Sequence, residues 1–220
     1  MAVSPVTKRG VTKSKSAPKP AKGRPRGFDR DAALKAAMQV FWLRGYEATS
    51  ISDLTKAMGV NAPSLYAAFG CKEALFEEAL DLYQATEGVL PWRLLDEGRT
   101  ARESFAALLR FYATYYVEAG HPPGCMAVLS AIVGAPENKT VRALMTKSRQ
   151  AAMQGFAQRI RRGQAEGDVP ARADAAAMAA FYATLVQGMS IQARDGATKK
   201  QLLATVEAAI AAWDGMAGKT

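Results

Sequence analysis

Asn61, Ala62, Pro63, Ser64 and Tyr66 form a short run of small, hydrogen-bonding and aromatic side chains. No nucleophile sits beside a base in this run, and no set of metal ligands does either. The chemistry open to it is recognition. The Asn61 amide and the Ser64 hydroxyl suit the edges of bases, and Ala62 or Pro63 suits the methyl group of thymine. Such residues read DNA only when a rigid element carries them into a groove.

The stretch Ser50 to Phe69, SISDLTKAMGVNAPSLYAAF, supplies that element. Ser50 and Asp53 stand at the spacing of a capping box, in which each satisfies an orphan backbone donor of the first helical turn. Ile51, Leu54 and Met58 then share one apolar face at helical period. Gly59 follows, where a left-handed terminus favours a residue without Cβ. Asn61 is a suitable N-cap for a second helix, with Pro63 in its first turn, where a missing N–H is harmless. Leu65 and Phe69 turn back onto the first helix. Helix, short turn with glycine, helix is the DNA-reading arrangement, in which the second helix enters the major groove. The same spacing also serves as plain packing in many all-α proteins, so it leaves both readings open.

Charge narrows the choice. The 220 residues carry a net charge of +9, but eight of the 29 basic residues lie in the first 28, which contain no acid. The remainder is nearly balanced, with 21 basic residues against 20 acidic. A basic N-terminal arm beside a reading helix is a nucleic-acid feature, although the same composition also describes a solvating tail. Lys22-Gly23-Arg24-Pro25-Arg26 looks like the Gly-Arg-Pro core of an AT-hook, and Arg24 and Arg26 suit a narrow minor groove of enhanced negative potential.

Other classes fit poorly. No apolar run of about 18 residues offers a membrane span, and the first ten residues lack the apolar core of a secretory signal. Cys71 and Cys125 with nine methionines point to a reducing compartment, the cytoplasm, without a disulfide framework. His121 is the single histidine, which leaves no histidine triad or histidine-rich metal site. No enzymatic constellation is visible, and no cofactor is expected. An architectural DNA binder that uses its basic arm and answers to no effector is the alternative to a sequence-specific regulator.

Phe28 to Leu80 resembles the N-terminal domain of the TetR family of bacterial transcriptional regulators. The resemblance is carried by Phe41, Gly45-Tyr46, Thr49, Leu54, Gly59-Val60, Ser64-Leu65-Tyr66, Phe69, Lys72-Glu73 and Leu75. It implies that Thr49, Tyr66 and Lys72 contact phosphates while Asn61 to Ser64 lie nearest the bases. Two positions depart from the family pattern. Ala68 stands where a histidine commonly adds a phosphate contact. Cys71 stands where Ser, Asn or Asp usually caps the next helix; it is either an inert substitution or a redox-sensitive thiol at a helix start.

The expected fold is all-α, with about nine helices: a three-helix reading domain and a C-terminal helical domain for effector binding and dimerisation. Residues 1–27 form the arm, 28–80 the reading domain and 81–220 the remainder. The first helix should span about Asp29 to Arg44 and the fourth about Cys71 to Thr86. Gly88 and Pro91 break the pattern. Further helices are expected over about 99–118, 125–133, 138–163, 171–194 and 199–213.

The last two are apolar with no later chain to cover them, which suggests a homodimer. The resemblance agrees, since family members pair these helices into a four-helix bundle on a palindromic operator. The aromatic and methionine side chains of the middle segment are ordinary core by residue type. The resemblance implies a small-molecule pocket among them, with Trp92, Tyr112, Tyr115, Tyr116, His121, Cys125, Met153 and Phe156 as candidates. The identity of that small molecule is not written in these residues. Cys125 is either a buried structural thiol or a second redox candidate.

Overall fold

A computed structural model describes residues 28–132 and 134–218. In chain order the helices are α1 (Arg30–Arg44), α2 (Ile51–Met58), α3 (Ala62–Phe69), α4 (Lys72–Thr86), α5 (Val89–Glu97), α6 (Ala101–Tyr115), α7 (Met126–Leu129), α8 (Lys139–Glu166), α9 (Ala175–Arg194), α10 (Lys199–Ala211) and α11 (Trp213–Met216). A 3₁₀ turn, Pro136–Asn138, precedes α8. Among the described residues there is no strand, and no helix is long and apolar enough to cross a membrane.

Local chemistry sets the front of the molecule. Asp29 caps α1 by accepting from the backbone N–H groups of Asp31 and Ala32. Met38, Phe41 and Trp42 are buried along its inner face, where α4 packs against it. Phe41 meets Phe76 of α4 edge to face at 5.1 Å. Cys71 does cap α4: its sulfur accepts from Ala74 N at 3.4 Å.

The α4–α5 junction differs from the expected break. Only Glu87 and Gly88 separate the two helices, and Pro91 lies in the first turn of α5 rather than ending a helix. Proline there forfeits no helical hydrogen bond. Gly88 is required for space, since a Cβ would lie 2.5 Å from the Gln84 carbonyl oxygen.

Long-range contacts bind the back half. Arg159 of α8 is 4% exposed. Its Nε donates to Leu95 O at 3.1 Å and to Ser104 Oγ at 3.0 Å, and Nη2 donates to Gly98 O at 3.0 Å. A buried guanidinium is tolerable only with such partners, and these bonds fix the α5–α6 corner onto α8. Phe105, Tyr182 and Trp213 join α6, α9 and α11 through rings 4.7–5.5 Å apart.

The last helices are covered more fully than their composition suggests. Met178, Tyr182, Val186 and Met189 of α9, and Leu202, Val206 and Ile210 of α10, are buried within the same chain. α9 rests on α8, and α10 on α6. What faces outward is a narrower stripe of mainly small residues: Ala177, Phe181, Thr184 and Ile191 on α9, with Ala204, Ala208 and Ala211 on α10.

α1 is also fastened to the back half. Trp42 Nε1 donates to Gly124 O at 3.1 Å, and Tyr46 N to Ser130 O at 2.7 Å. Arg194, at the end of α9, donates to Leu43 O and Trp42 O at 2.6 and 2.7 Å.

Candidate nucleic-acid interface

The α2–α3 pair is built as its caps dictate. Ser50 Oγ accepts from Asp53 N while the Asp53 carboxylate accepts from Ser50 N, both at 3.0 Å. Hydrogen bonds from Ser50, then the Arg44 guanidinium, hold the Asp53 carboxyl at about 2, below its ordinary value. Gly59 has φ 66 and ψ 30, the left-handed state that ends α2 without strain. Asn61 caps α3, its Oδ1 accepting from Ser64 N at 2.8 Å. Leu65 and Phe69 are buried and anchor the inner face.

That anchoring turns the other face of α3 outward. Asn61 and Pro63 are exposed, Ala62 and Ser64 half-buried, and Tyr66 is 47% exposed. Lys72 lies at the adjoining start of α4, its ammonium 4.2 Å from the centre of the Tyr46 ring. Burial lowers the Lys72 pKa, and Glu47 and Glu73 pull it back up. The Tyr46 hydroxyl donates to Glu73 Oε1 at 2.8 Å. Burial, then that carboxylate, raises the Tyr46 pKa far above the tyrosine range. The result is a fixed platform under a cation, the cation–π geometry of a held charge.

Thr49 departs from its expected place. It is 1% exposed, and its hydroxyl donates to Gly45 O at 2.6 Å. A phosphate oxygen needs a donor, and this proton is already committed inside the α1–α2 loop. Arg24 and Arg26 lie outside the described residues.

Two supports were not anticipated from residue type. Arg30 lies over the Phe69 ring at 4.4 Å and pairs with Glu78 at 2.7 Å, fixing the end of α3 against α1 and α4. Glu47 accepts from Ala135 N and Asn138 Nδ2 at 3.0 and 2.9 Å. The positions 39 and 48 residues from Arg30 give no local periodicity by which to find the first contact.

A cavity of about 240 Å³ lies among α4, α5, α6, α8 and α9. Trp92, Tyr112, Tyr115, Tyr116, Cys125 and Phe156 line it. Tyr83 of α4 donates to Cys125 Sγ at 3.3 Å, and Tyr115 donates to Glu87 at 2.5 Å. Burial pushes the Cys125 thiol pKa up. His121 and Met153 do not line the cavity. The His121 ring is stacked between Trp42 and Tyr115, with centroids 4.9 and 4.2 Å away. Met153 projects outward, 38% exposed. A helical stripe of apolar residues does not say which of its members meets a void. Among the described residues no cluster of three or more His, Cys, Asp or Glu side chains is placed to hold a metal.

Known proteins share this arrangement. The family model described as "Bacterial regulatory proteins, tetR family" matches residues 33–79. The HTH-type transcriptional repressor ComR of Escherichia coli (strain K12) is 35% identical over 205 residues, spanning 92% of this chain and 97% of that protein. The HTH-type transcriptional repressor BdcR of the same strain is 31% identical over 183 residues, spanning 83% and 88%. A cysteine mutant of the TetR family transcriptional regulator CifR, complexed with 26-bp double-strand operator DNA, has a TM-score of 0.85. It is 46% identical, over 87% of this chain and 100% of that one.

Proposed function

The chain belongs to the tetR family of bacterial regulatory proteins, and on that premise we propose that it is a homodimeric transcriptional repressor released from its operator by a small molecule. The observation that carries the reading is the outward face of α3. Asn61 to Ser64 and Tyr66 project from a helix whose opposite side, Leu65 and Phe69, is locked in the core. The operator-bound relative of TM-score 0.85 supports it.

In this reading α3 enters the major groove. Asn61, Ala62, Pro63 and Ser64 meet bases, and Tyr66 and Lys72 meet phosphates, while Arg24 and Arg26 extend the contact from the arm. Residues 28–80 read DNA, and 81–220 bind the effector and dimerise. The exposed small-residue stripe of α9 and α10 is the dimer seam, because short side chains let helices approach closely. Two copies of α3 then sit about 34 Å apart, one turn of duplex. The protein works in the cytoplasm, where its DNA is, and carries out no turnover of its own.

Release follows from what touches the cavity. Tyr83 belongs to α4, and the Tyr115 ring stacks on His121, which stacks on Trp42 of α1. An occupant that moves either tyrosine acts on the helices that set the α3 spacing. The shift in DNA affinity equals the occupant's differential affinity for the two arrangements, typically about 1–3 kcal/mol.

The test is selection of bound duplexes from a random pool. The expected result is a two-fold symmetric site, bound about a thousandfold or more above random DNA at physiological salt. Equal affinity for all duplexes would favour the architectural alternative instead.

A further inference from the structure

The walls of the cavity are largely apolar, with Trp92, Leu108, Val128 and Phe156 prominent. Most of its polar groups are already satisfied. Tyr83 donates to Cys125, Tyr115 to Glu87, and Gln84 to Ser148. Two donors remain. Arg149 lines the cavity from α8, and its Nη1 is shielded from solvent without a hydrogen-bond partner among the described residues. Nη2 makes a single long bond, 3.3 Å, to Thr146 Oγ1. Burial lowers the Arg149 pKa, and no neighbouring acid raises it. The Tyr116 hydroxyl is buried as well, with no oxygen or nitrogen partner; it lies against the Cys125 thiol.

A buried donor that meets no acceptor forfeits its hydration with nothing in return, and a charged donor forfeits more. The Tyr116 hydroxyl can donate or accept, but the Arg149 guanidinium only donates, so its missing partner is an acceptor. That guanidinium is a permanent cation that no carboxylate neutralises, so the missing acceptor carries negative charge. Guanidinium groups pair with carboxylates in a planar, two-pronged geometry. Glu87 does not fill the need: its Oε2 accepts from Tyr115, and its carboxylate does not act on Arg149. Size limits the rest: about 240 Å³ falls below the roughly 300–1,000 Å³ of drug-sized sites.

Resting on the repressor reading above, we propose that the effector is a small monocarboxylate with an aromatic or branched aliphatic body. Its carboxylate pairs with Arg149 and its apolar part lies between Trp92 and Phe156.

The full-length protein is titrated, without DNA, with benzoate, phenylacetate and isovalerate and with the matched primary amides, by calorimetry. At least one acid is expected to bind ten or more times tighter than its amide. Arg149→Gln is expected to erase that preference, and its binding to the selected operator serves as the control for folding. Amides that bind as well as acids would overturn the proposal, as would an acid preference that survives Arg149→Gln, or no binding by any of the three acids at millimolar concentration. The outcome is separate from the repressor reading. Failure to select any DNA site sinks that reading, whereas acid binding without operator release, or release by a neutral compound, leaves DNA binding intact and bears on the effector alone.

Discussion

Arg194 closes the last turn of α1 by donating to the carbonyl oxygen of Leu43 at 2.6 Å. The two residues are 151 positions apart. The final carbonyls of a helix lack intrahelical partners, and a cation there also answers the helix dipole. The end of α9, beside the proposed dimer seam, is thereby fastened to the end of the helix that carries the reading pair. Arg194→Met should cost about 1–3 kcal/mol, a fall of about 2–4 °C in Tm per kcal/mol for a chain of this size. It should also blunt effector release more than operator binding. A variant that melts like the parent and releases normally would show that the clamp transmits nothing.

Lys72 and Tyr66 should separate in a salt titration. Lys72→Gln removes one charge held over Tyr46, so the slope of log affinity against log salt should fall by about one. Tyr66→Phe removes a neutral donor and should weaken binding to every duplex with the slope unchanged. An unaltered slope in Lys72→Gln would place that ammonium away from phosphate.

Thr49→Val tests the buried hydroxyl. Loss of its bond to Gly45 O should destabilise the fold by about 1 kcal/mol, with operator affinity kept within about twofold at a temperature where both proteins are folded. A large loss of affinity at equal Tm would return Thr49 to the phosphate backbone.

Asp53 sets an acid limit on α2. Its carboxyl is held at about 2 against an ordinary 3.8. A depressed pKa contributes stability that is present above about pH 4 and is lost as pH falls through about 2. The Tm difference between the parent and Asp53→Asn should therefore shrink as pH drops across that window. A difference that stays constant from pH 5 to 2 would count against the capping box as its source.

Trp92 reports on the cavity. It is 44% exposed, while Trp42 and Trp213 are fully buried, so acrylamide quenching reads Trp92 selectively. A Cβ at Gly155 would lie 2.6 Å from the Trp92 ring. Gly155→Ala should expel the ring, raise quenching and weaken any effector response. Quenching equal to that of the parent would mean the ring does not rest on Gly155.

Caps and glycines made α2 and α3 readable from sequence, because Ser50, Asp53, Gly59 and Asn61 act on neighbours within a few positions. The start of α5 was obscured because Pro91 breaks a helix from inside but is harmless in its first turn. Arg159 gave no sign of burial: its partners Leu95, Gly98 and Ser104 are more than 50 positions away. His121 and Met153 misled for a related reason. Composition marks a face as apolar or aromatic, but only packing decides whether a given ring meets a void, another ring or solvent.

The cap at Asn61 restricts its vocabulary. With one lone pair of Oδ1 engaged by Ser64 N, that oxygen is held at the helix start, and the side chain's two amide protons are its unengaged donors. Adenine's two-point signature requires a donor and an acceptor presented together, and an oxygen pinned to the backbone is less free to join the amide in that pairing in the proposed complex. In the proposed complex its amide protons suit any acceptor in the groove, whether guanine O6 or N7, adenine N7 or thymine O4. On the proposed function, the letter at that position of the operator would then fall more to Ala62, Pro63 and the bendability of the duplex.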